Sequence, residues 1–155
     1  MTYISHLECS VCAKRREPGL VHNLCECGGP LLVRYHLDRV RAEWSRPALT
    51  EAPSTMWRYA PVLPVCDPKS VVSLGEGMTP MVHTARLGDR LGAHDVWVKD
   101  EGLNPTGSFK ARGLSCAVSM CVELGIRNIA IPSAGNAASA LAAYAAAASS
   151  LRQER

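Results

Sequence analysis

The stretch Asp100-Glu101-Gly102-Leu103-Asn104-Pro105-Thr106-Gly107-Ser108-Phe109-Lys110 decides how this chain folds. An apolar run rich in Val and Trp, Asp95 to Lys99, precedes it and reads as a strand. Gly102, Asn104, Pro105 and Gly107 then supply turn chemistry, and a helical pattern opens at about Ser108 and runs to Leu124, where Gly125 stops it. Leu114, Ala117, Val118, Cys121 and Val122 share one face of that helix. The junction sets Lys110 at a helix N-terminus. There the positive end of the helix and the like charge of Arg112 favour a neutral amine, the state that attacks an aldehyde carbon. A solvated lysine in a first turn has the same spacing, so spacing alone leaves both readings open.

Further along, Asn128 to Ile131 reads as a short buried strand, and a helix opens at Asn136. That helix, Ala137 to Ala148 with Leu141 and Tyr144, is apolar nearly all round and calls for cover by a sheet or a partner. Strand, helix, strand, helix in this order implies an α/β fold with parallel pairing through a right-handed crossover. Ligands bind at the carboxyl ends of such strands, where helix N-termini offer unpaired N–H groups, and both Lys110 and the loop Ser133-Ala134-Gly135-Asn136 lie on that edge. Ser133, Gly135 and the backbone at Asn136 suit a substrate carboxylate, although a helix N-cap explains Asn136 equally well. Before the lysine segment, Gly75-Glu76-Gly77 with Thr79-Pro80 reads as a glycine turn leading into an extended Met81 to His83.

Three ordered segments, Ser73-Leu74-Gly75-Glu76-Gly77-Met78-Thr79-Pro80, Asp100 to Lys110, and Ile131-Pro132-Ser133-Ala134-Gly135-Asn136, resemble those of threonine synthases. These belong to the fold-type II, tryptophan synthase beta-like, enzymes of pyridoxal phosphate (PLP). The resemblance runs from about Leu7 to about Ala146. It implies an α/β lobe with PLP held covalently on Lys110 as a Schiff base, Lys110 as the catalytic residue, and Asn136 at the ring hydroxyl of the cofactor. It also implies O-phosphohomoserine as substrate, giving threonine and phosphate with water, and a homodimer for the complete enzyme. Ala111 stands where threonine synthases often carry aspartate, and Ala137 where they often carry a hydroxyl residue. Threonine or serine dehydratases and cysteine synthases share the lysine and the asparagine loop and form the alternative. The wording Asn104 to Phe109 and the cysteine-rich head favour threonine synthase. Family members are about twice as long or more, and their phosphate-holding glycine loop comes later in the chain, so the resemblance implies a truncated, inactive N-terminal portion. The tail from Ala145 to Arg155, in which the helical pattern dissolves, agrees with that expectation.

At the other end, Cys9 and Cys12 form one close pair and Cys25 and Cys27 a second, with a hairpin-length spacer between them. Four thiolates on two turns can surround Zn²⁺, and a segment too short to build a core gains folding energy from the metal. The second pair is C-x-C, tighter than a standard zinc ribbon, so four reduced cysteines in a small hairpin remain the alternative. Lys14, Arg15 and Arg16 between the pairs raise a nucleic-acid-binding ribbon as a competing class. Glu8, Glu17, Glu26, Asp38 and Glu43 interleave the basic residues, and no aromatic pair alternates with them to stack bases, so no nucleic-acid partner is expected.

The chain thus divides into a cysteine-rich ribbon-like segment (1–35), a proline-rich connector (36–70) and the front part of the PLP-binding α/β domain (71–155). Asp38 is expected to cap a short helix over Arg39 to Trp44, after which five prolines keep the connector extended. Trp57 and Tyr59, with Val62, Leu63 and Val65, pack this arm on the lobe. Apolar residues at 47% suffice for a core, and a net charge of +3 is too mild to select nucleic acid or an anionic membrane. Ser5, His6 and Glu8 interrupt any signal-peptide core, no run approaches a membrane span, and the seven cysteines fit reduced thiols or metal ligands, so the cytoplasm is the expected compartment.

Overall fold

The computed structural model describes residues 2–153. Near the N-terminus, β1 (Ile4–Cys9) pairs antiparallel with both β2 (Arg15–Arg16) and β3 (Leu31–Tyr35), in the order β2-β1-β3. Leu7 sits opposite Arg16 on one side and Val33 on the other. This sheet is half-buried at best, and of its strand residues Cys9 alone is buried.

The segment that follows is more helical than its prolines suggest. Helix α1 covers Leu37–Glu43, and α2 covers Arg46–Glu51. Asp38 lies inside the first turn of α1, and His36 holds the cap position without a side-chain bond, so the expected Asp38 cap does not form. Asp38 still places negative charge at the positive end of the helix. Pro47 is accommodated in the first turn of α2, where a missing N–H breaks nothing, and the Ser45 hydroxyl accepts from Ala48 N–H. A 3₁₀ stretch, Met56–Val62, buries Met56 and Trp57 against Val65, with Leu63, Val71, Cys116 and Met120 around them. Tyr59 stays exposed and meets Trp44 edge-on at 6.0 Å, so it does not join Trp57 on the lobe.

Strands β4 (Met81–His83) and β5 (Trp97–Lys99) pair antiparallel across helix α3 (Ala85–Leu91), an element the sequence reading passed over. Then come α4 (Lys110–Glu123) and α5 (Asn136–Gln153). The expected buried strand at Asn128 to Ile131 is absent. That run is exposed, with Ile129 at 42% and Ile131 at 36%, and no described strand lies beside it to complete a ladder. The parallel crossover expected there therefore does not form among the described residues. The alanine-rich helix does not dissolve at Ala145 either; α5 continues to Gln153, as its alanines favour, while residues 154 and 155 lie outside the described residues.

Helices α4 and α5 pack through Ala111, Val118, Ala140, Leu141, Tyr144 and Ala148, with Val72 beneath them. Ala111 and Ala140 are fully buried, and their small side chains let the two backbones come close. The helices run parallel. Ser115 in the first half of α4 meets the same partner as Tyr144 in the first half of α5, and Cys121 and Val122 share a hollow with Ala145, Ala148 and Ser149. Both helix N-termini, Lys110 and Asn136, consequently lie toward the same end of the pair.

Candidate active site

Lys110 follows a loop whose shape is held by side chains. The positive φ of Gly107 (69°) turns the chain, and its N–H donates to the Asn104 carbonyl at 2.8 Å. Asn104 is buried. Its Oδ1 accepts from Gly77 N–H at 3.1 Å, while its Nδ2 donates to the Glu101 carbonyl at 2.9 Å and to Glu101 Oε2 at 3.0 Å. Glu101 in turn receives both Arg112 Nε (2.6 Å) and Nη2 (2.8 Å), together with the Thr79 hydroxyl. Arg112, then Thr79, hold the Glu101 carboxyl down at about 2. This network ties the Gly75-to-Pro80 turn to the lysine loop and to the first turn of α4. It also corrects the expected electrostatics, because the charge of Arg112 is balanced by Glu101 instead of acting alone on Lys110.

The Lys110 amine lies 4.4 Å from the centre of the exposed Phe109 ring and has no hydrogen-bond acceptor or carboxylate among the described residues. Lys99, by contrast, spends its amine on the Thr79 carbonyl at 2.8 Å. In the second loop, Ser133 Oγ accepts from Gly135 N–H at 3.3 Å, and the Gly135 carbonyl takes the bond from Ser139 N–H that opens α5. Asn136 is exposed at the first position of α5, and its side chain makes no hydrogen bond among the described residues. Ser133, Gly135 and Asn136 are therefore together on one loop, and no hydrogen bond joins them to Lys110.

Sequence reasoning missed Glu76. Within an apparently ordinary glycine turn, this carboxylate is completely buried. Oε1 receives the Trp57 indole N–H (3.0 Å) and lies 2.6 Å from Ser115 Oγ; Oε2 receives the Tyr144 hydroxyl (2.7 Å) and Leu74 N–H (3.0 Å). Ser73 Oγ adds contacts at 3.2 and 3.3 Å. Burial alone pushes this carboxyl upward, but the bonds from Ser115, Tyr144 and Leu74 N–H outweigh it and leave the group below its ordinary value. Burial first, and then the bond to Glu76, raise the Tyr144 phenol. The Gly77 turn is demanded by the same packing, since a Cβ there would stand 2.5 Å from Met56 N at φ 111°. The one signal available in the sequence was an acidic residue between two glycines.

The structure gathers the four N-terminal cysteines. Sγ atoms of Cys9, Cys12, Cys25 and Cys27 all lie within 4.8 Å of one another, with Cys9 to Cys27 and Cys12 to Cys27 at 3.5 Å and Cys12 to Cys25 at 3.6 Å. A tetrahedron of thiolates with Zn–S of about 2.3 Å has edges of about 3.8 Å, so the cluster has the right size. Backbone N–H groups of Val11 (3.4 Å) and Cys12 (3.5 Å) point at Cys9 Sγ and, with Cys12 first, lower its thiol to about 6. Gly29 is required beside it, because a Cβ would approach Cys9 Sγ to 2.7 Å. The tight C-x-C pair is thus compatible with a four-sulfur cluster. Cys66, Cys116 and Cys121 stand apart from it.

A family model described as "Pyridoxal-phosphate dependent enzyme" matches residues 72–152, which contain both loops, Glu76 and the two long helices. The chain belongs to this family. Among pyridoxal-phosphate-dependent enzymes it is similar to the threonine synthase of Methanocaldococcus jannaschii, at 39% identity over 138 residues that cover 89% of this chain and 34% of that protein. The threonine synthase of Methanosarcina acetivorans is 38% identical over 142 residues, 91% of this chain and 34% of its own length. That of Synechocystis is 42% identical over 105 residues, covering 64% and 28%. The chain spans about a third of the length of these curated relatives and matches their N-terminal portion. No described helix is long and apolar enough to cross a membrane.

Proposed function

We propose that this chain carries the lysine-bearing part of a threonine synthase-like lyase acting on O-phosphohomoserine. The observation that carries the reading is the Lys110 amine, which meets only the Phe109 ring and no hydrogen-bond acceptor or carboxylate among the described residues, at the end of a loop locked by Glu101, Asn104 and Arg112. The residues present fit PLP. Lys110 offers a free amine for covalent attachment, and Asn136 offers an uncommitted amide for a ring oxygen. When bound, PLP supplies an electron sink for carbanion chemistry at the substrate. Lys110 would hold the cofactor, and its Nζ would carry a proton to and from the substrate carbon. Ser133 and Gly135 shape the opening of α5, their own N–H groups going to the Ile131 carbonyl and to Ser133 Oγ, so the Ser133 hydroxyl and the helix N-terminus at Asn136 would orient the substrate carboxylate. Ala137 adds no second hydroxyl to that of Ser133.

The four cysteines fit zinc as a structural ion that pins the N-terminal hairpin. Ion pairs of Lys14 and Arg16 with Glu26, and of Arg34 with Glu8, support a surface without a nucleic-acid partner. The test of the cofactor reading is chemical. Purified chain is incubated with PLP, reduced with borohydride and mapped by mass spectrometry. Label is expected on Lys110 ahead of Lys14, Lys69 and Lys99, and lost in Lys110→Ala. Label spread over the lysines without preference would sink the reading.

A further inference from the structure

Glu76 has no place in the chemistry proposed above, yet it is a fully buried carboxylate that no arginine or lysine touches among the described residues. Burying such a charge is costly unless hydrogen bonds surround it, so its surroundings must be held in place together or not at all. Its partners come from four separate segments: Trp57 from the 3₁₀ arm, Ser73 and Leu74 from its own turn, Ser115 from α4 and Tyr144 from α5. Ser115 Oγ also lies 2.7 Å from the Val72 carbonyl, its single hydrogen being shared between that carbonyl and Glu76, and Ser119 Oγ receives Val72 N–H at 2.8 Å, so the segment ahead of the turn is tied to α4 as well.

The placement of these partners along the helices matters. Ser115 lies five residues after Lys110, about 7.5 Å along the axis, and Tyr144 eight residues after Asn136, about 12 Å. One carboxylate therefore sets how far each helix advances toward the common end where Lys110 and the 133–136 loop emerge. Oε1 faces α4 and Oε2 faces α5, so the two helices are referred to the same rigid group.

We propose that Glu76 is a positioning residue, seating α4 and α5 in register so that Lys110 and the Ser133-to-Asn136 loop face one bound molecule. The proposal rests on the reading of Lys110 as the cofactor lysine. Glutamine at this position keeps the shape but turns N–H groups toward donors. Loss of the Tyr144 hydroxyl removes the α5 tie alone.

The experiment uses the full chain as wild type, Glu76→Gln and Tyr144→Phe, followed by amide hydrogen exchange and by PLP-borohydride labelling. In Glu76→Gln, exchange is expected to rise about tenfold at residues 108–115 and 133–141 and to stay unchanged in the cysteine hairpin. Labelling of Lys110 relative to Lys99 is expected to fall about tenfold, as misplacement costs rate, whereas a general loss of stability would raise labelling of all lysines alike. Tyr144→Phe is expected to loosen 133–141 and spare 108–115, and it decides the matter if Glu76→Gln fails to fold. Equal loosening of both spans by Tyr144→Phe overturns the proposal. Wild-type protein without preference for Lys110 overturns the cofactor reading, while a preference that survives intact in Glu76→Gln overturns the positioning role instead.

Discussion

In the hairpin, residues 2–35, burial is confined to Cys9, Cys25 and Gly29, and Val11, Leu20, Val21 and Leu24 are exposed. The α4–α5 pair encloses Ala111, Val118, Ala140, Leu141, Tyr144 and Ala148, and beside them the polar Ser115, Ser119 and Glu76. Apolar burial contributes roughly 25 cal/mol per Å², so the helix pair holds itself together by packing, whereas the hairpin has little to pack and draws its four sulfurs into one point. Under the zinc proposal the first region depends on a bound ion. The second depends on polar groups it supplies itself.

Removing metal tests the sharper half of that contrast and should give the largest effect. Purified chain is expected to contain one zinc, lost on chelation or in a Cys9→Ser, Cys12→Ser variant. Structural zinc contributes on the order of 10 kcal/mol, so exchange protection across β1 to β3 should collapse while α4 and α5 keep theirs. A zinc-free hairpin that stays protected would break the comparison. Trp57→Ala comes next. Losing a buried indole costs about 3–5 kcal/mol, and here it also takes one of the donors from Glu76, so the denaturant midpoint should fall with zinc content unchanged.

A smaller effect should follow pH. The Glu101 carboxyl is depressed from 4.5 to about 2 by Arg112 and Thr79, so its contribution is complete above the unfolded value and is lost as pH falls through about 2. Glu101→Gln should therefore be less stable than wild type at about pH 6, with the gap closing as the solution is acidified in urea titrations. A constant gap would show that packing, not charge, is responsible. Lys110→Ala should change least, within about 0.5 kcal/mol, because its amine contributes no hydrogen bond to the fold.

The cysteine cluster, the lysine turn and the two long helices were legible because each is local: spacing, turn residues and period carry the information. Residues 128–131 were misread as a buried strand because β-branched apolar residues signal only that a segment could pair. Burial needs a neighbouring strand, which the described residues do not provide. The antiparallel β4–β5 pairing was missed because α3, lying between, was not recognised. Glu76 was illegible for a further reason. Trp57, Ser115 and Tyr144 each look like core or helix residues, and only the fold brings their polar atoms to one carboxylate. Of the candidate site, the lysine and asparagine loops were readable, while the Glu101–Arg112 lock that shapes the first was not, since its partners are eleven residues apart across a turn.

The sequence distances between Glu76 and its partners also bear on the order of assembly at the ribosome. Trp57 stands 19 residues away, Ser115 39 and Tyr144 68. The cysteine hairpin is contained within the first 35 residues and can close while most of the chain is still unmade. The carboxylate stays incompletely satisfied until Tyr144 has left the exit tunnel. A nascent chain stalled before that point would carry the hairpin beside an α4 whose neighbouring carboxylate still lacks its α5 donor.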